Sequence, residues 1–239
     1  MHTYNKKAKE NARVLLNGNY SRFISAILLW FLLSSLILGI PSMLYQTADN
    51  PWLLVSQYLI SFMLNVLVHM LYVGISRMSM TLVKRHTPHL GELFFAFRNQ
   101  AENFLVISLL LTGIQTVLQL PFSIAGHLHL LDDLSLPLYY AIYFGSTALA
   151  FLIYIFLTVS LSLAEFVLLD RPELSPREAI AQSRSLIRGH RMQYLSLVFS
   201  FLGLLLMGCL SLGIGLLWVV PYIRTCYASF YYDCKHGSF

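Results

Sequence analysis

The sequence predicts an all-α membrane protein: six transmembrane helices arranged as three hairpins, each preceded by a short amphipathic interfacial helix. Three observations predict it. Of 239 residues, 57% are hydrophobic and only 11% charged, whereas a soluble domain carries about 25% charged residues. Six apolar stretches have the length of a span, at about 23–44, 52–76, 103–125, 137–166, 192–210 and 214–232. The basic residues fall in alternate connectors. No polar linker separates these stretches, so residues 1–239 read as a single polytopic domain.

Residues 1–22 form a basic lead-in with Lys6, Lys7, Lys9, Arg13 and Arg22, and lack the small-residue cleavage site of a signal peptide. The first span is expected to stop near Pro41. The loop Gln46–Pro51 holds Asp49 and no Lys or Arg. After the second span comes a connector with Arg77, Lys84, Arg85 and Arg98. After the third comes a loop with His127, His129, Asp132 and Asp133, again without a basic residue. The fourth span is long enough to tilt or to extend past the bilayer. All Lys and Arg lie in the N-terminus, the second and fourth connectors, or the last span and tail. The positive-inside rule then places both termini in the cytoplasm, the protein being a multi-pass component of a bacterial cytoplasmic membrane.

The fourth connector carries the clearest local signals. Ser175, Pro176 and Glu178 stand at the N-cap, N1 and N3 positions of a capping box, and Gly189 suits a helix C-terminus. The helix between carries Ala179, Ile180, Ser183 and Ile187 on its apolar side. Arg177, Arg184, Arg188 and Arg191 supply charge that suits anionic head groups at a membrane surface. A solvated connector helix is the plainer alternative. The hairpin that follows turns at Leu212-Gly213-Ile214-Gly215.

A weak repeat runs through the chain. Leu15-Leu16-Asn17-Gly18 with Phe23 matches Leu186-Ile187-Arg188-Gly189 with Tyr194, and Ala96-Phe97-Arg98-Asn99 with Phe104 keeps the same offsets. Each copy reads as a short helix, a break, and an aromatic residue opening a span. Chance likeness among membrane-entry segments is the competing explanation.

The last third of the chain resembles a known family. Leu169-Asp170-Arg171-Pro172, Ser175-x-x-Glu178-Ala179, Ser183, Leu186-Ile187-Arg188-Gly189-His190, Ser200-Phe201-Leu202-Gly203, Leu212-Gly213-Ile214-Gly215-Leu216-Leu217-Trp218, Pro221-Tyr222 and Phe230-Tyr231 are similar to the C-terminal signature of a bacterial integral-membrane family, domain of unknown function 975. Ala12-Arg13-x-Leu15-Leu16-x-Gly18-Asn19 resembles its opening more loosely. Arg224 departs from the neutral residue the resemblance leads one to expect. The resemblance implies a multi-span bacterial membrane protein and no particular activity.

Polar residues inside the spans mark where chemistry would live. Tyr58, Ser61, Asn65, His69, Tyr72 and Ser76 share one face of the second span. Ser108, Thr112, Gln115 and Gln119 do so on the third, and Tyr143, Thr147, Tyr154, Thr158, Ser162 and Glu165 on the fourth. Such stripes face the bundle interior, as interhelical glue or as a polar pathway. The candidate seam comprises Asn65, His69, Gln115, Gln119, Tyr154, Glu165 and Arg224, with Glu165 and Arg224 expected to pair at its inner end if the fourth and sixth spans are neighbours. Snorkelling of Arg224 toward the interface is the alternative.

His127-x-His129 with Asp132 and Asp133 is a weak zinc pattern, and no metal is expected. Cys209, Cys226 and Cys234 lack a C-x-x-C spacing and read as buried, reduced packing residues. No nucleophile or phosphate-loop motif is present, so no enzyme activity and no cofactor are expected. The net charge of +5 is accounted for by topology rather than by nucleic acid. The sequence therefore favours a non-catalytic scaffold or accessory protein of the cell envelope, with anionic lipids at Arg184, Arg188 and Arg191 and a membrane protein as its partners. A transporter or permease-like protein using the polar seam is the alternative.

Overall fold

The computed structural model describes residues 2–44, 51–127, 135–159 and 161–237, and these contain helices and no strand. In order they are α1 (His2–Leu16), α2 (Tyr20–Leu44), α3 (Pro51–Val83), a 3-10 turn (Leu90–Phe94) leading into α4 (Phe95–Arg98), α5 (Ala101–His127), α6 (Leu136–Thr158), α7 (Ala164–Asp170), α8 (Pro176–Ile187), α9 (Arg191–Phe199), α10 (Leu202–Leu210) and α11 (Leu216–His236). Among the described residues five segments are long and apolar enough to cross a membrane: Tyr20–Gly39, Val55–Val83, Ala101–Pro121, Leu136–Thr158 and Arg191–Leu210. The expected sixth, α11, is not among them. It carries Arg224, Asp233, Lys235 and four tyrosines, and much of its surface is buried by other helices. A helix sheathed by protein has less need of an apolar surface.

Two expectations about span limits are corrected. The second span does not end at residue 76: α3 continues to Val83, so Arg77 lies within a helix and not in a connector. The fourth, expected over 137–166, is two helices. Around residues 158–164 the ladder tightens to bonds of three-residue spacing, Leu161 N–H to Thr158 O and Ala164 N–H to Leu161 O, and the Ser162 hydroxyl donates to Val159 O. The fifth keeps its expected limits, over Arg191–Leu210, but breaks inside them at Ser200–Phe201, with Phe201 N–H donating to Val198 O and the Ser200 hydroxyl to Leu197 O.

The centre of the bundle is made by α3 and α11, which pack on each other. Around them α2 and α5 flank α3, α1 lies on α11, and α7 joins α3, α5 and α8. Most of α6 is exposed, and its main packing partner is α5. The core is concentrated toward one end, in the later half of α3, in α7, in the later half of α11, and in the opening turns of α2, α5 and α9. Away from this end Phe31, Leu36, Trp52, Leu59, Phe144, Phe156, Met207 and Leu210 point outward. So much exposed apolar surface is expected of a protein whose solvent is lipid.

That packed end is tied by charge. Lys84, just past α3, donates to Asp170 Oδ1 at 2.6 Å, Tyr231 of α11 donates to Asp170 Oδ2 at 3.1 Å, and Lys235 of α11 also donates to Oδ2. The Asp170 side chain is only 7% exposed. Nearby, Arg77 donates to Leu169 O at 2.7 Å and lies over the Phe95 ring at 4.4 Å. Gly74 permits the close approach of α3 to the 3-10 turn: a Cβ there would collide with the backbone of Leu93.

The short helices are packed elements. In α1, Ala8, Ala12 and Leu16 are buried; Cys226 Sγ lies 3.9 Å from Ala8 O, and Tyr222 donates to Lys9 O at 3.4 Å. In α8, Ala179, Ser183 and Ile187 are buried. The repeat read in the sequence reappears in this burial: Ala8, Ala12, Leu16, Phe23, Ala26 and Ile27 correspond at constant offset to Ala179, Ser183, Ile187, Tyr194, Leu197 and Val198, and all are buried. Phe104, Ile107 and Ser108 continue the pattern in α5. Gly18 (φ +79°) and Gly189 (φ +91°) make the breaks in the first and third copies, where a left-handed residue ends the short helix; in the second, Gln100 adopts φ +47°.

Candidate functional site

At Arg224 and Glu165 two helices bring opposite charges together inside the bundle. Glu165 stands in the first turn of α7, placed there by the tight turn that ends α6. Its side chain is 5% exposed and that of Arg224 is 14% exposed. Arg224 Nη1 lies 3.6 Å from Glu165 Oε2, and the guanidinium sits 4.1 Å from the centroid of the Tyr72 ring on α3. The contact is an ion pair without a direct hydrogen bond, because 3.6 Å is too long for one. Glu165 Oε1 is buried and has no hydrogen-bond partner among the described residues.

The pair opens onto a cavity of about 290 Å³. His69 and Tyr72 come from α3, Leu111 from α5, Phe151, Tyr154, Ile155 and Thr158 from α6, and Ser162 from the turn after it. Tyr194 and Val198 of α9 and Leu202 and Leu205 of α10 form the facing wall, and α11 adds Val220, Ile223, Arg224 and Tyr227. His69 Nδ1 is 3.0 Å from the Ser108 hydroxyl of α5, which fixes the ring. Tyr194 and Tyr227 lie with ring centroids 5.6 Å apart, and Trp30 and Tyr72 at 5.5 Å. Behind the cavity Lys9 of α1 reaches the break in the fifth span, donating to Ser200 O at 3.1 Å and lying over Phe201. The walls are thus apolar and aromatic, and the charge is confined to one pole, an arrangement common in small-molecule sites.

Of the seven seam residues, His69, Tyr154, Glu165 and Arg224 meet in this cavity. Gln115 and Gln119 do not. They line a neighbouring hollow of about 400 Å³ between α5 and α6, with Leu118, Thr147, Ala150, Phe151 and Tyr154. Tyr154 and Phe151 face both spaces. Asn65 joins neither: it is exposed, and its amide donates to Ser61 O one turn back at 2.8 Å. A polar side chain satisfied within its own helix is not forced toward the interior. Tyr72, Tyr194 and Tyr227 belong to the cavity although they were not among the seam residues. Tyr72 stood in the stripe on the second span, three residues from His69, while Tyr194 and Tyr227 look like ordinary interfacial aromatics.

At the other candidate region, Ser175 caps α8 with both bonds of the box: Glu178 N–H to Ser175 Oγ at 3.4 Å and Ser175 N–H to Glu178 Oε2 at 2.8 Å. The Ser175 hydroxyl and amide hold the Glu178 carboxyl below its ordinary pKa. Arg184, Arg188 and Arg191 are exposed on the side of the chain away from the bundle. His129, Asp132 and Asp133 lie outside the described residues, as does Asp49. Of the cysteines, Cys226 is buried and Cys234 half-buried, but Cys209, near the end of α10, is exposed.

No curated protein and no solved structure matches the chain. A family model described as a protein of unknown function, DUF975, matches residues 1–237. With practically its whole length covered, and the capped α8, the Gly189 break and the turn at Leu212–Gly215 all in place, the chain belongs to that family.

Proposed function

We propose that this is a non-catalytic, permease-like membrane protein that takes an amphiphilic molecule from the bilayer into its polar cavity. The observation that carries the reading is the cavity itself: about 290 Å³ beside a buried Arg224–Glu165 pair, between α6 and the α9–α10 wall. A bundle serving only as a scaffold has no need to keep a charged pole beside an unfilled space, since ion pairs of this kind are often no better for stability than apolar packing. The loose packing of α6 on its neighbours supports entry from the side.

In this reading α11 is the sixth span, the termini are cytoplasmic, and the tied end of the bundle faces the same compartment. Arg184, Arg188 and Arg191 then lie against anionic lipid head groups. The accessory-protein reading is the second. It is favoured by the tie at Asp170, which holds the ends of α3, α7 and α11 together, and its partner would be another membrane protein.

The test is retention. The protein and a Leu205→Trp variant, whose indole would fill the space, are purified in parallel and their bound molecules extracted and identified by mass spectrometry. The expected result is one lipid or solute at near-stoichiometric amount in the first and its loss from the second. Equal amounts in both, or none in either, would leave the accessory role in its place.

A further inference from the structure

The pole of the cavity specifies what kind of molecule fits, and this inference rests on the cavity being a binding site. Its two formal charges, Arg224 and Glu165, cancel when His69 is neutral. An occupant with a net charge would leave that charge uncompensated in a low-dielectric space, which is costly. A wholly apolar one would leave Glu165 Oε1 as bare as it is now, buried and without a donor, and such an oxygen carries its full desolvation penalty. The ion pair is also incomplete, one contact of 3.6 Å rather than a bidentate fork. Both defects are repaired by a group that brings an N–H donor and an anion together. We propose that the cavity binds a zwitterionic amphiphile, the Glu165 side chain turning so that Oε1, which has no accessible surface of its own, accepts from the primary ammonium while the phosphate or carboxylate lies beside the Arg224 guanidinium.

The remaining lining supports the assignment. Tyr154, Tyr194 and Tyr227 line the cavity together with Tyr72, whose ring the Arg224 guanidinium covers, and aromatic side chains favour ammonium groups. Leu202 and Leu205 on one side and Phe151 and Ile155 on the other give an apolar path for a tail. At about 290 Å³ the space lies at the small end of ligand pockets. It is large enough for a head group or a free amino acid, and too small for a whole two-chain lipid, whose tails would pass between α6 and α10.

The full-length protein in detergent is titrated with dihexanoyl phosphatidylethanolamine, phosphatidylcholine and phosphatidylglycerol, and with free leucine, reading the shift in unfolding temperature against concentration. Phosphatidylethanolamine is expected to act at about tenfold lower concentration than the other two lipids, the size of effect expected for a hydrogen bond to a charged group. Phosphatidylcholine keeps the charge but has no N–H, and phosphatidylglycerol has no cation. Leucine acting as strongly as phosphatidylethanolamine would keep the zwitterion and assign it to a solute. Glu165→Gln should remove the preference while retaining weak, unselective binding. If that variant does not fold, the ranking on the unmodified protein decides alone. Equal response to phosphatidylethanolamine and phosphatidylglycerol, or a preference that survives Glu165→Gln, overturns the assignment. If a molecule still co-purifies and is lost on Leu205→Trp, only the zwitterion is wrong; if none co-purifies, the cavity reading fails with it.

Discussion

At Asp170 two ammonium groups and one phenol converge on a single carboxylate. Burial by itself pushes the acid's pKa up, but hydrogen bonds from Lys235 and Lys84 more than reverse this and hold it at about 2, against an ordinary 3.8. A folded-state pKa below the unfolded one contributes stability that is full above about pH 4 and is lost as the pH falls toward 2. Asp170→Asn should lower the unfolding stability of the detergent-solubilised protein by roughly 1.5–3 kcal/mol at neutral pH. It should also flatten the acid limb of its stability profile, and an unchanged acid limb would remove Asp170 from that role. Asp170 stands in a motif the sequence offered, but its partners were not legible there, because Lys84 and Lys235 are far away in the chain and only the packing of α3 and α11 brings them to one point. Arg224 and Glu165 were legible for the opposite reason. Charges inside apolar spans are rare enough to be sought as a pair, and the rise of a helix put them at reachable depths. Asn65 misled because periodicity reports a face and not whether a side chain already has a partner.

Among the elements, α3 and the 3-10 turn approach most closely at any described glycine, at Gly74. Gly74→Ala should destabilise the protein by at least about 1–3 kcal/mol, since backbone rather than a movable side chain stands in the way. Gly113→Ala in α5, where the space is open, should be neutral or slightly stabilising. Thermal unfolding of both variants checks the pair, and similar losses would mean that the close approach is not what constrains position 74. The capping box of α8 and its buried stripe were readable directly, because caps and amphipathic faces are local. The breaks in the fourth and fifth spans were not. Ser162 and Ser200 bond the backbone three residues back at these breaks, but Ser35, Ser56 and Ser146 make the same bond inside unbroken helices, so the residue type does not mark a break.

For the molecule as a whole, composition and the spacing of apolar stretches were enough to predict a helical membrane protein, and five of the expected spans meet the length and hydropathy of one. The sidedness rests on the distribution of Lys and Arg alone. Cysteines placed at Asp49 and Asp132 on a background lacking Cys209, Cys226 and Cys234 should be labelled by an impermeant reagent on intact cells, and one at Arg184 only after permeabilisation. Labelling at 184 in intact cells would overturn the assignment of both termini to the cytoplasm.

The pairing of α1 with α11 also sets an order of events during synthesis. Ala8 and Cys226 touch although 218 positions separate them. At roughly 5–20 residues per second a ribosome needs about 10–40 s to cover that distance. For that interval the inner face of α1 lacks its main docking surface, since α3 and α9 cover only part of it, and whatever shelters Ala8, Ala12 and Leu16 until α11 emerges, whether lipid or a chaperone, is as much a part of making this protein as the contacts that finally cover them.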